Sequence, residues 1–492
     1  MSDTDTEPVS FGDAVAALAA AEPDRPMITC GDRMVTRREF HERTNRLARA
    51  YAELGVGLGS YVTIALPNSI EFMESAFAAW KLGATPQPAS SRLPGRELAA
   101  ILDLVKPSLV VGAPADQLGS HTGVPQGFEP PEHTSADDLP RAVAPVWKAP
   151  TSGGSTGRPK VILATQPGVL DSVAPFVMIM GLPERGTVLA TGPFFHNGPF
   201  MSSAIGMLFG AHVVVMPRFD AQEALDLIER HQVNWMYAVP TMMLRIWRLP
   251  EADRLKPDLS SLERILHMAA PCPPWLKTAW IDWIGGDRVW ELYAGTEVQA
   301  VTLISGTEWL AHPGSVGKTL IGEITVLDDD GKPAPAGTIG TLWMRRGEDQ
   351  PPTYHYVGAD AKSIDGGWES LGDVGRMDEE GYIYLTDRDS DMILVGGSNV
   401  YPAEVEAALE EHPAVRTSCV VGVANEDLGN VVHALVELDE DVTDEELIGF
   451  CSERLVRYKV PRVIHRSSTP LRDDAGKVRR TAVRDDLVAR LG

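Results

Sequence analysis

The sequence predicts an α/β fold built as two unequal parts. A large, multi-subdomain N-terminal domain spans 1–388, with two parallel-type sheets wrapped by helices plus a β subdomain. A small α+β domain spans 389–492 on a hinge. Three observations predict this. Short β-rich runs alternate with amphipathic stretches as far as Tyr293, the rhythm of strand–helix–strand units. From about 300 to 385 that texture gives way to short β segments between Gly, Pro and Asp turns. The charged break Asp387-Arg388-Asp389-Ser390-Asp391 then precedes a compact α+β pattern.

The elements follow in order. Ser10 caps a helix with the apolar face Phe11, Val15 and Leu18. Thr36-Arg37-Arg38-Glu39 is a capping box opening a helix to about Leu54, and Asn68-Ser69-Ile70-Glu71 has the same spacing for a helix to Leu82. Residues 61–66 and 109–111 read as strands. Residues 113–145, rich in Pro, Gly and acids, read as an irregular excursion. Helices are predicted at about 166–180, 199–209 and 220–231, with strands at 187–191, 213–216 and 234–238. Segments 323–327, 341–344 and 382–385 are the strands of the β subdomain. In the small domain Pro402 suits the first turn of a helix to about Glu411. Strands at 415–423, 431–438 and 462–466, a helix at 443–456 and a C-terminal helix from about 479 complete it.

Composition narrows the function. The 492 residues carry a formal net charge of −24, so neither nucleic acid nor an anionic membrane is expected as the main partner. An anionic substrate must therefore be met by locally placed cations. The apolar run around 203–216 is short for a membrane span and holds His212. The four cysteines are scattered without a C-x-x-C pair, and the first residues are acidic and polar. A reduced cytoplasmic protein is expected.

The chemistry centres on Thr151-Ser152-Gly153-Gly154-Ser155-Thr156-Gly157-Arg158-Pro159-Lys160. Its glycines permit tight turns that bring N–H groups to an anion, its hydroxyls add donors, and Lys160 adds a compact charge. Apolar residues on both sides make it a loop between two strands. It lacks the G-x-x-x-x-G-K-[ST] spacing of a Walker loop, and at Gly317-Lys318-Thr319 that pattern fails because position 312 is His. Gly153–Gly157 fits G-x-S-x-G, yet a nucleophile elbow must lead into a helix, whereas Pro159, Val161 and Ile162 favour extended chain. A flexible surface loop is the remaining alternative.

The loop resembles the phosphate-binding signature of the adenylate-forming (AMP-binding) superfamily. Further segments resemble its acyl-CoA synthetase branch in the same order: Phe194-Phe195-His196-Asn197-Gly198, Tyr293-Ala294-Gly295-Thr296-Glu297, Leu371-Gly372-Asp373, Gly396-Gly397-Ser398-Asn399-Val400-Tyr401-Pro402-Ala403-Glu404-Val405-Glu406, Tyr458-Lys459-Val460-Pro461 and Gly476-Lys477. The resemblance covers nearly the whole chain. It implies ATP-dependent activation of a carboxylic acid through acyl-AMP to acyl-CoA, with ATP, Mg²⁺ and coenzyme A as cofactors.

The resemblance also implies roles. Thr151, Ser152, Gly153, Gly154, Ser155, Thr156, Gly157 and Lys160 would cradle the phosphates, and Glu297 would hold the metal. Thr296 would bond the α-phosphate, Tyr293 would stack near the adenine, Asp373 would hold the ribose, and Arg388 would hold the ribose or phosphates near the hinge. Lys477 would bridge carboxylate and α-phosphate. Asp389 and Ser390 would be the hinge, and Gly396 and Gly397 would line the channel for the CoA arm. His196, Asn197, Ala269, Ala270, Ala294 and Gly295 would border the acid. The small residues Ala269, Ala270, Ala294 and Gly295, with resemblance at 267–274 and 309–317 to bacterial ligases for bile-acid or steroid-like acids and fatty acids, imply a bulky apolar acid.

Four departures from the family pattern stand out: Ala294 for Gly, Leu371 for Thr, Ser390 after the hinge arginine, and the charged Arg472-Asp473-Asp474 before Gly476. Alternatives left open are an enzyme performing one half-reaction, an adenylation enzyme loading a carrier protein, and a non-catalytic nucleotide-binding protein. Beyond the acid and CoA, a partner adenylating enzyme, a carrier protein or a second copy of the chain are the partners left open.

Overall fold

The computed structural model describes residues 7–153, 159–328, 331–388, 391–395, 398–425, 429–473 and 476–491. Its backbone is one long sheet with smaller sheets around it. The strands Arg264–His267, Trp235–Ala238, Thr187–Ala190, His212–Val215 and Pro26–Cys30 lie side by side and parallel, and Val289–Ala294 joins them on the other edge. These strands are buried β-branched and aromatic runs, as a parallel sheet covered on both faces requires.

At Val289–Ala294 the direction changes. Val301–Ser305 pairs antiparallel with it, then Gly317–Ile321, and beyond that come Tyr382–Arg388, Asp373–Met377 and Gly340–Arg345. The β subdomain expected at 300–385 is therefore hydrogen-bonded edge-on to the parallel sheet. Short Gly and Asp turns permit antiparallel neighbours without crossover helices, so the sheet simply continues.

A second, all-parallel sheet holds Thr85–Pro88, Tyr61–Ile64, Leu109–Val111 and Gly123–Val124. Helices fill the space between the two sheets. The Ser10 and Thr36 caps form as expected, the latter as a full capping box. At the third helix, Ile70–Lys81, the cap is Ser69, whose hydroxyl accepts from the Phe72 N–H. Asn68 instead bonds the Gly192 and Met216 carbonyls and the Phe194 N–H. A side chain that can satisfy three backbone groups across a junction is worth more there than at a helix end. Trp80, Trp147, Trp235 and Trp280 anchor the large core.

A three-stranded sheet carries the glycine-rich loop. Thr151–Gly153 and Pro159–Ala164 pair antiparallel, with Tyr354–Val357 on the far side of the second strand. Extended chain thus flanks the loop on both sides. Gly154–Arg158 lie outside the described residues.

From Asp391 onward the chain has its own core around Val405, Leu409, Val420 and Val436. The long hairpin Val415–Asn425 and Gly429–Leu438 is covered by the helix Pro402–Glu410. The helix expected at 443–456 is shorter, Asp444–Ser452, and Val456 and Tyr458 are exposed. A buried charge cluster ties this part together. Glu406 meets Arg480 and, at 3.3 Å, Arg472, while Glu410 lies 3.4 Å from Arg472. No helix among the described residues is long and apolar enough to cross a membrane.

Candidate active site

The site gathers where the parallel strands end. Lys160, in the strand that leaves the loop, lies 3.3 Å from Oε1 of Glu297. The same carboxylate oxygen accepts from the Tyr356 hydroxyl at 2.5 Å. The ammonium stands 3.9 Å from the centre of the Tyr356 ring, a cation–π contact. Burial and the Glu297 charge push the Tyr356 phenol well above its usual range, so it stays a donor. Lys160 and Glu297, expected together, are together. Tyr356 was not expected, because its place depends on strand pairing across the chain.

Glu297 is buried in the turn after Val289–Ala294, and its backbone carbonyl accepts from Thr353. Val298 next to it has φ +57°, costly for a β-branched residue. Gly295 is needed here: a Cβ would stand 2.4 Å from Leu371 and 2.8 Å from Glu297 Oε2. The space beside Gly295 is thus taken by Leu371, which replaces the family threonine, and by the carboxylate. Thr296 in this turn and Ala294 at the end of the strand are half-buried.

Tyr293 donates from its hydroxyl to Asp373 Oδ2 at 2.7 Å. Gly372, at φ +83°, sets up the turn that aims Asp373 there. The backbone of Arg388 pairs with Asp373 in register. Of the remaining expected residues, the side chains of Ser152, Gly153 and Arg388 and all of Asp389, Ser390, Gly396 and Gly397 lie outside the described residues.

His196 ends the turn before the helix Asn197–Leu208. Its Nε2 is buried and has no hydrogen-bond partner among the described residues. Burial, then the nearby Lys477 charge, push the imidazole down to about 3, so the ring is neutral. Gly198 lets that helix approach the sheet, since a Cβ would stand 2.9 Å from the Tyr237 ring and 3.2 Å from Met268 Sδ. Ala269 follows Met268, exposed and with φ +75°, and Ala270 is half-buried.

Lys477 comes from the C-terminal part. It sits in a turn closed by the Asp473 and Lys477 backbones, and Asp473 Oδ1 accepts from the Lys477 N–H at 2.9 Å. Asp473 therefore braces the turn with its carboxylate. Gly476 packs on Thr241, and the Asp473 charge acts on buried Tyr237. Arg248 adds bonds to the Glu410 and Val415 carbonyls, and Arg479 lies 3.3 Å from Glu97. The turn thus lies against Thr241 and Val239, and its charges act on His196 and Tyr237.

The residues present fit a nucleotide, a metal and an acid. The orphaned Nε2 of His196 beside a lysine suits an incoming carboxylate. One buried carboxylate suits Mg²⁺, which is commonly held by one or two carboxylates plus phosphate oxygens, and the lysine beside it suits the phosphates themselves.

Known proteins match this arrangement. The model of the AMP-binding enzyme family matches residues 15–349, and that of the AMP-binding enzyme C-terminal domain matches 404–472. A 2-succinylbenzoate–CoA ligase of Geobacillus kaustophilus is 32% identical over 461 residues, 90% of this chain and 91% of its own length. The long-chain-fatty-acid–CoA ligase FadD13 of Mycobacterium tuberculosis is 28% identical, over 93% of this chain and 94% of its own. The o-succinylbenzoate CoA synthetase MenE of Bacillus subtilis, solved with its acyl-adenylate intermediate, superposes with a TM-score of 0.82 at 26% identity, covering 96% of this chain and 98% of that one. The same enzyme has been solved with ATP and magnesium ion. On these matches the chain belongs to the AMP-binding enzyme family and is an acid–thiol ligase.

Proposed function

We propose that the protein is an AMP-forming acyl-CoA ligase that activates a bulky hydrophobic carboxylic acid through acyl-AMP and passes the acyl group to coenzyme A. The observation that carries this reading is the Lys160–Glu297 pair, 3.3 Å apart where the chain leaves the glycine-rich loop, with the Lys477 charge acting on buried His196.

The roles follow from charge. A carboxylate oxygen attacks the α-phosphorus and the bond to pyrophosphate breaks. Two anions must approach, and we assign Lys477 to lower that repulsion. Neutral His196 offers a ring N–H without adding charge, and Thr296 donates to the α-phosphate. Lys160 and the loop Thr151–Gly157 hold the departing phosphates. Asp373 and Tyr293 position the ribose and adenine, with Arg388 near the hinge. Glu297 is the residue that would hold Mg²⁺, which supplies charge neutralisation on the phosphates. In the second step the CoA sulfur attacks the acyl carbon and AMP leaves. That step needs Lys477 removed. We assign this to rotation of 389–492 against 1–388 about Asp389–Ser390, with Gly396 and Gly397 lining the thiol channel.

Small residues at Ala269, Ala270 and Ala294 support a bulky acid. All four cysteines are free thiols, which supports a cytoplasmic setting. The test is AMP release with ATP, Mg²⁺ and CoA across decanoate, palmitate, cholate and 2-succinylbenzoate. Turnover of a fatty or steroid acid above 2-succinylbenzoate is expected, and preference for the aromatic dicarboxylate overturns the hydrophobic-acid reading. A holo-carrier protein preferred over CoA would overturn the acceptor.

A further inference from the structure

The roles above make no use of one buried cation. Lys148 is 3% exposed and stands just before the strand Thr151–Gly153. Its ammonium donates to Oδ1 of Asn197 and lies 3.3 Å from Sδ of Met201. Asn197 and Met201 are one turn apart on the same helix, so Lys148 spans that face. The Trp147 ring lies 5.2 Å away.

Burial pushes Lys148 down to about 7, against the pull of Glu297. A methionine would avoid that desolvation, so an ammonium here costs stability. What it gains is orientation. An ammonium only donates, so the Asn197 oxygen must face it. The carboxamide is planar, which turns its NH₂ away from Lys148. Asn197 is half-exposed and directly follows His196.

We propose that Lys148 is a positioning residue for acid binding: it locks the Asn197 carboxamide so that its N–H donors face an oxygen of the acyl group, alongside His196. The proposal rests on the placement of Asn197 at the acid pocket.

The test uses the full chain and two stable acyl-adenylate mimics, decanoyl- and cholyl-sulfamoyl adenosine, with AMP as the control, all by calorimetry. Lys148→Met should weaken the tighter mimic about tenfold, the scale of one lost hydrogen bond, and leave AMP unchanged. Asn197→Asp keeps an acceptor for Lys148 but loses the NH₂, and should show the same loss in a stably folded protein. Lys148→Arg should recover part of the affinity. Lys148→Met with Asn197→Leu should be no weaker than either alone, because both remove one contact.

Unchanged mimic binding in Lys148→Met or Asn197→Asp overturns the proposal, as does an equal loss for AMP or additive losses in the double variant. A wild type that binds neither mimic more tightly than AMP contradicts the acyl-pocket reading itself.

Discussion

Gly476 rests directly on Thr241: a Cβ at Gly476 would stand 2.7 Å from the Thr241 hydroxyl, and its φ of +74° disfavours any other residue. Gly476→Val should lift the turn and cut acyl-AMP formation by about a hundredfold, the scale of a misplacement near 1 Å. Thioester formation from synthetic acyl-AMP should be largely kept. Pyrophosphate exchange and AMP release report the two steps.

Gly295 offers a second steric test. Gly295→Ala drives a methyl into Leu371 and the Glu297 carboxylate. Magnesium affinity, read as the Mg²⁺ dependence of AMP release, should weaken about tenfold or more, as when a residue supporting a metal ligand is lost. Gly295→Ala combined with Leu371→Ala should recover part of it. No recovery would mean that the methyl acts elsewhere.

Arg472 holds Glu406 and Glu410 in a buried cluster and also bonds Thr417 and the Ser418 carbonyl. Arg472→Met leaves Glu406 with Arg480 but strands buried Glu410 without its cation, a loss of about 3–5 kcal/mol. Chemical denaturation should show the C-terminal part unfolding first, with the large domain's transition unmoved.

Part of this was legible in the sequence. The Ser10 cap, the Thr36 capping box and Pro402 at a helix start are local signals, and each sits where a helix begins. The fold class followed from the same rhythm of elements. The edge-on continuation of the sheet was not legible, because strand pairing is settled between distant segments. Asn68 read as a cap but serves a junction. At the site, Lys160, Glu297, His196, Tyr293, Asp373 and Lys477 stood out by type and motif. Tyr356 and Lys148 did not, since nothing local marks a tyrosine in a strand or a lysine beside Trp147. A charged residue in an otherwise apolar stretch next to the loop was the one available clue to Lys148.

Lys81 gives a pH dependence. It is buried among the His41 ring and carbonyl and Asn45 Oδ1, with Asp138 bonded to His41. Burial pushes it down to about 7. A lysine depressed in the folded state binds fewer protons there than when unfolded, so stability rises with pH from about 7 to about 10. The melting temperature should climb from pH 7 to pH 9 at low salt. Lys81→Met should show a flatter climb, and Lys148 contributes to the slope that remains.

The most direct measurement takes Lys477→Ala through both half-reactions with one acid. Acyl-AMP formation should fall by about 10²–10³, the loss typical of one removed charge-stabilising contact. Transfer from preformed acyl-AMP to CoA should stay near wild type. Equal loss in both steps, or no loss in the first, would contradict the account.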